Sequence, residues 1–187
     1  MKYAVLSALL LTCLPAAAAA QSGIIIGEGK AQSCYQSALM GDMGSVTAVR
    51  TCTEALDDPR LVRRDQAATL ANRGLLFVRR GNFDRAMADF DRALDFAPEL
   101  AEAHLNRGTA LFHRGDFAAA RDAYTRSLEL GITKEAEALY NRALAHERLD
   151  DNRAAYLDLR RTLELRPDWD AAQATMARFT VVSRRDS

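Results

Sequence analysis

Sliding the chain along itself by 34 residues superimposes Gly74 on Gly108, Gly81 on Gly115, Phe83 on Phe117, Ala86 on Ala120, Phe90 on Tyr124 and Leu94 on Leu128. A further shift of 35 carries Asn106-Arg107-Gly108 onto Asn141-Arg142-Ala143, and Asp116, Ala120, Tyr124 and Leu128 onto Asp151, Ala155, Leu159 and Leu163. Three tandem units follow, at 67–100, 101–135 and 136–169. A period of this length means a stack, because one such unit is too small to bury its own apolar face and can hide it only against a copy of itself.

Each unit contains two runs of helical periodicity joined at a turn signal. In the second unit, 101–114 and 117–130 flank Gly115-Asp116, where Gly accepts the left-handed backbone that ends a helix and Asp caps the next one. Composition agrees: Ala, Leu and Arg lose little conformational freedom in a helix, and there are only four Pro and ten Gly. With 49% hydrophobic and 27% charged residues the mix is that of a globular protein. Small residues at Gly74, Gly108 and Ala143 in the first helices, and at Ala86, Ala120 and Ala155 in the second, predict close approach within each pair. The aromatics Phe83, Phe90, Phe117 and Tyr124 are expected to fill the space between one pair and the next.

At this point the sequence resembles the tetratricopeptide repeat family, through "LANRGLLFVRRGNFDRAMADFDRALDFAP" and "LNRGTALFHRGDFAAARDAYTRSLEL" and through Pro98 and Pro167 in the terminal slot. The middle unit has Ile132 there, with Gly131 stopping the helix. The third has Asp150 and Asn152 in place of the turn glycine and the aromatic, which predicts a looser last hairpin. The resemblance covers 67–169 and implies an all-α, right-handed solenoid of three helical hairpins. Residues 34–66 read as a degenerate hairpin and a connector, 57–66, that Pro59 keeps out of a helix. Residues 170–187 read as a capping helix and tail.

The resemblance also implies a concave groove, walled by the first helices, for a protein or peptide ligand. Its candidates are Asn72 and Arg79 with Ala68, Ala71 and Leu75 in the first unit. The second supplies Leu105, Asn106, Thr109, Phe112 and His113, and the third Tyr140, Asn141, Leu144 and Arg148. An Asn can donate to and accept from a ligand backbone, though Asn in this slot is equally ordinary helix surface. Arg73, Arg79 and Arg80 make the wall grade from basic to neutral, so its early end would tolerate an acidic ligand. The clamp with which some family members hold a C-terminal carboxylate is not expected, because Leu75 and Asn141 stand where it wants Asn and Arg.

No catalytic constellation is legible. His104, His113 and His146 are 9 and 33 residues apart and share no local helical face. His104 stands in a packing slot, whereas His113 and His146 are assigned to the groove side. Arg114-Gly115-Asp116 is a turn, and Gly27-Glu28-Gly29-Lys30 lacks the first glycine and the hydroxyl of a phosphate loop. No enzyme activity, cofactor or metal is therefore expected. Equal numbers of basic and acidic side chains, 25 each, give no field to attract nucleic acid or an anionic membrane. Membrane association would run only through a partner, and the oligomeric state stays open.

Residues 1–20 have the layout of a secretory signal: Lys2, an apolar run from Ala4 to Leu14, Pro15, and small residues at Ala18 and Ala20. A permanent anchor is the competing reading, but the interrupted run falls short of the roughly 20 residues a spanning helix needs. Cleavage after Ala20 would leave 21–33 as an N-terminal arm in a periplasmic or secreted protein. Cys34 and Cys52 would then meet an oxidising compartment, where thiols tend to pair. The alternative is two buried free thiols.

Overall fold

The computed structural model describes residues 29–39 and 45–179. Among them are nine α-helices and no strand. A first hairpin joins α1 (Lys30–Leu39) to α2 (Val46–Leu56). The three repeat units are α3 (Arg63–Arg79) with α4 (Phe83–Phe96), α5 (Ala101–His113) with α6 (Phe117–Glu129), and α7 (Glu135–Arg148) with α8 (Asn152–Leu165). A short α9 (Asp170–Met176) closes the stack. Each helix packs on its neighbours in sequence, and α1, α3, α5 and α7 also follow one another as an inner layer.

The turns repeat as the residues do. Gly81 and Gly115 take left-handed φ values of 70° and 84°. Asn82, Asp116 and Asp151 then cap α4, α6 and α8, their side-chain oxygens accepting from the backbone N–H groups of Arg85, Ala119 and Ala154. The third hairpin is not looser. Asp150 adopts φ 60°, and the bonds Asp150 N–H to Glu147 C=O and Asp151 N–H to His146 C=O match those of Gly115 to Phe112 and Asp116 to Leu111. Asp tolerates the left-handed region better than most side chains do, so the turn closes at some cost in strain.

Inside a hairpin, glycine faces an aromatic ring. A Cβ added at Gly74 would lie 2.6 Å from Phe90 Cε1, and one at Gly108 2.6 Å from Tyr124 Cε1. The third unit replaces both members at once, with Ala143 and Leu159, each almost fully buried. Phe90 and Tyr124 therefore fill their own pair, within an apolar cluster that continues into Ala101 and Leu105 of α5 and Ala138 of α7. Phe83 and Phe117 do serve the junctions, against His113 and Arg148 of the following units.

At the N-terminal end two boundaries move. The connector is only 57–62, because α3 starts at Arg63, four residues past Pro59, with Gln66 N–H donating to Val62 C=O in its first turn. Helix α1 starts at Lys30, after Gly29 at φ 108°, so 30–33 belong to the hairpin and not to an arm. Cys34 and Cys52 form a disulfide, fully buried against Ala48 and Leu76. It joins α1 to α2 and seats both on α3. The capping helix, α9, ends at Met176. The secretory-signal reading, most of the arm, residues 40–44 of the first hairpin and the tail from 180 lie outside the described residues.

Candidate functional site

Helical geometry fixes which face of each first helix is left for a ligand. At about 100° per residue, Asn72 lies about 160° round α3 from Gly74, Arg79 about 140° and Leu75 about 100°. The glycine side meets the partner helix, while Leu76 and Thr69 are wholly buried towards the disulfide hairpin. What remains is the inner wall. Asn72, Asn106 and Asn141 take the same place in α3, α5 and α7, and all three are half-buried. Their side chains make no hydrogen bond among the described residues, so donor and acceptor are both available. One turn on, Leu75 and Leu144 are also half-buried.

The other candidates are already engaged. Thr109 donates its hydroxyl to Leu105 C=O at 3.2 Å and accepts the O–H of Tyr124 at 3.5 Å. Burial pushes the Tyr124 phenol up to about 12, so it stays protonated at any working pH. Phe112 packs edge-on against Phe117, with centroids 5.1 Å apart. Tyr140 lies 4.8 Å from the Trp169 ring, its hydroxyl 3.4 Å from Thr175 Oγ1, so α9 covers that end of the wall. Ala71 and Leu105 are in the core.

His113 and Arg148 occupy equivalent positions and do equivalent work. The His113 ring stacks on Phe83 of the preceding hairpin at 5.1 Å and 6°, and the Arg148 guanidinium lies 4.3 Å above Phe117. Such contacts are worth about 0.5–1.5 kcal/mol each. They tie unit to unit at the turn edge. Arg79 has the corresponding slot in α3. Asn152, the counterpart of Phe83 and Phe117, meets no following repeat among the described residues.

The sequence reading missed a set of arginine clasps. Arg73 makes paired bonds to both carboxylate oxygens of Asp89, each 2.7 Å, and reaches Thr53 Oγ1 of the hairpin before at 3.0 Å. Arg142 repeats this with Asp158, at 2.7 and 2.8 Å, and with Thr125 at 3.3 Å. In the middle unit the acid's place is taken by Ala123, and Arg107 turns back to Asp91 at 2.8 Å. The legible signal was Asn-Arg followed by Asp 16 residues after the Arg, in two units of three. Its consequence is that Arg73 is not a basic surface for an acidic ligand, because its charge is spent inside the fold.

The remaining polar features are structural. His104 is only half-buried and not a core residue, its Nε2 lying 2.9 Å from Pro98 C=O, a bond repeated by Gln173 Nε2 to Pro167 C=O at 2.7 Å. His146 is turned into the third hairpin rather than the groove, its Nδ1 buried without a hydrogen-bond partner. A cleft of about 680 Å³ between α1, the end of α2 and the connector is lined by Lys30, Glu54, Asp58 and Arg60, among others. Its charges pair within it, Lys30 with Glu54 at 2.7 Å and Arg60 with Asp58 at 2.9 Å; the Arg60 bonds hold the Asp58 carboxyl down to about 2. Among the described residues no group of three or more His, Cys, Asp or Glu side chains could hold a metal ion, and no helix is long and apolar enough to cross a membrane.

Stacked antiparallel hairpins with an inner wall of first helices define a helical-repeat solenoid. Two family models, both described as tetratricopeptide repeat, match residues 71–135 and 136–168, together just over half the chain, and the chain belongs to that family. It is 28% identical over 123 residues to human Tetratricopeptide repeat protein 6, covering 64% of this chain. The match spans about a fifth of that relative's length, 21%. Among solved structures it resembles the crystal structure of MamA, with a TM-score of 0.63, 23% identity, and 76% of this chain and 80% of that one covered. It also resembles the first TPR of Spaghetti (RPAP3) bound to the HSP90 peptide SRMEEVD, with a TM-score of 0.59, 24% identity, and 62% and 90% covered. At these identities the structural likeness speaks for the fold.

Proposed function

We propose that this chain is an exported adaptor, periplasmic or secreted and of bacterial type, that holds an extended segment of another protein along its inner wall and performs no chemistry. The observation that carries the reading is the column Asn72, Asn106 and Asn141, half-buried, unbonded and one per unit. Neighbouring helices stand about 8–10 Å apart, and an extended chain advances about 3.3 Å per residue, so each Asn would meet roughly every third residue of a ligand. Leu75 and Leu144 beside the column supply apolar contact. The RPAP3 likeness supports this reading, since that solenoid is bound to a peptide. Export is supported by the layout of 1–20 and by a pair of cysteines that are oxidised.

The competing reading, a self-associating envelope subunit, calls for exposed aromatics on the outer face. The exposed large apolar side chains among the described residues are Leu39, Val46, Val62, Leu149, Leu157 and Leu165, none of them aromatic. The groove is therefore preferred. The test is crosslinking in cells with wild type and with an Asn72, Asn106 and Asn141 triple alanine variant. Because the three side chains bond nothing in the fold, the variant should keep its helicity and melting temperature but lose the captured partner. Equal capture by both proteins would end the groove reading.

A further inference from the structure

The third hairpin carries a histidine where its predecessors carry hydrocarbon. His146 fills the slot of Phe77 and Leu111, three residues past the Gly74, Gly108 and Ala143 contact, with its Nδ1 buried and unbonded. Four charged groups face it. Asp151 is the cap of α8 and Asp158 lies within it, Arg142 comes from His146's own helix and Arg121 from α6. The two carboxylates that would welcome a cation are occupied. Asp158 is held through both oxygens by Arg142. Asp151 caps α8, accepting from Ala154 N–H at 3.1 Å, and its other oxygen lies 3.6 Å from His146 Nδ1, beyond good hydrogen-bond reach.

We propose that His146 makes the third hairpin the acid-sensitive unit of the stack, so that mild acidification raises the open fraction of the last third of the inner wall. The wall's identity as a binding surface rests on the reading above, because α7 carries Tyr140, Asn141 and Leu144; the acid sensitivity itself does not. Burial, the largest influence, holds the imidazole below its ordinary value of 6.5, against the pull of Asp158 and Asp151. Opening returns the ring to water. Below about pH 6.5 the opened form takes a proton that the closed form refuses, so closure weakens as pH falls, and the loss ends once pH drops beneath the closed-state value. Above that window both forms are neutral and pH has no leverage through this residue.

Trp169, the chain's one tryptophan, packs at a tilt against Tyr140 and reports on α7 directly. Its fluorescence and the hydrogen exchange of 135–165 are followed from about pH 7.5 to about pH 5.5, where ordinary carboxylates stay ionised. In wild type the opening constant should rise by up to about tenfold per pH unit inside the window, one proton's worth, with 63–96 unaffected. His146→Leu, which installs the residue of the second unit, should flatten the response, and His146→Gln covers the case in which Leu disturbs packing. His104 and His113 remain in both variants as internal controls. A pH response in either folded variant equal to wild type, or a flat wild-type response, overturns the proposal. Neither readout needs a ligand, so the groove reading can fail while this one stands.

Discussion

Among single side chains, the fold turns on a coupled pair. Gly74 and Gly108 leave room for the Phe90 and Tyr124 rings, whereas the third unit has Ala143 and the smaller Leu159 in those slots, both buried. Replacing Gly108 by Ala would press a methyl into a buried ring already at the limit of contact. The expected cost is about 1–3 kcal/mol, typical of overpacking, less the small helix-propensity gain of Ala over Gly. Adding Tyr124→Leu recreates the third unit's pairing and should recover part of that loss, although it also removes the hydroxyl bond to Thr109. Chemical denaturation of the two single variants and the double one checks this as a cycle. Additive costs would mean that glycine and ring are not coupled. The small-large alternation was legible in the sequence; the partner of each aromatic was not, because periodicity assigns a residue to a slot without saying which neighbour occupies the facing one.

At the element scale the helices were legible and their ends less so. The N-terminal hairpin lacks the repeat's spacing, and a covalent tie braces it: Cys34 and Cys52 close a separation of 18 residues across α1 and α2. Removing that closure as the Cys34→Ala, Cys52→Ala pair frees the unfolded chain and should lower stability by about 3 kcal/mol. The damage belongs to 30–56 and to the face of α3 that covers the sulfurs, so α1 and α2 should lose exchange protection first while the Trp169 signal holds. Loss of protection beginning instead in α7 and α8 would contradict that assignment. The third turn shows the converse. Asp150 looked like a departure because it is not Gly, yet backbone hydrogen bonds and the Asp151 cap reproduce the same turn. A cap and a bond pattern overrode a residue preference. The start of α3 at Arg63 was missed for a related reason: Pro59 forbids helix at and just before itself and leaves the residues after it free.

At the scale of the whole molecule, each hairpin touches only its neighbours, so stability is a sum of hairpin terms and junction terms. The arginine clasps belong to both, since Arg142 binds Asp158 within its hairpin and Thr125 of the one before. Their charges cancel in pairs that residues read along one helix cannot reveal, which is why counting Arg73 with Arg79 and Arg80 overstated how basic the wall is. Asp158→Ala leaves the Arg142 guanidinium half-buried with only the Thr125 hydroxyl. With Asp158 7% exposed, the loss should approach about 2–3 kcal/mol, a charge-assisted bidentate bond plus the stranded partner. Because coupling runs between nearest neighbours, the loss should stay local. Hydrogen exchange should rise in α7, α8 and α9, rise less in α6, and remain at wild-type level in α3 and α4. Uniform acceleration through α3 would instead mean that the stack melts as one cooperative body. An acid-sensitive last hairpin could not then open alone, and this same measurement therefore bears on the His146 proposal as well.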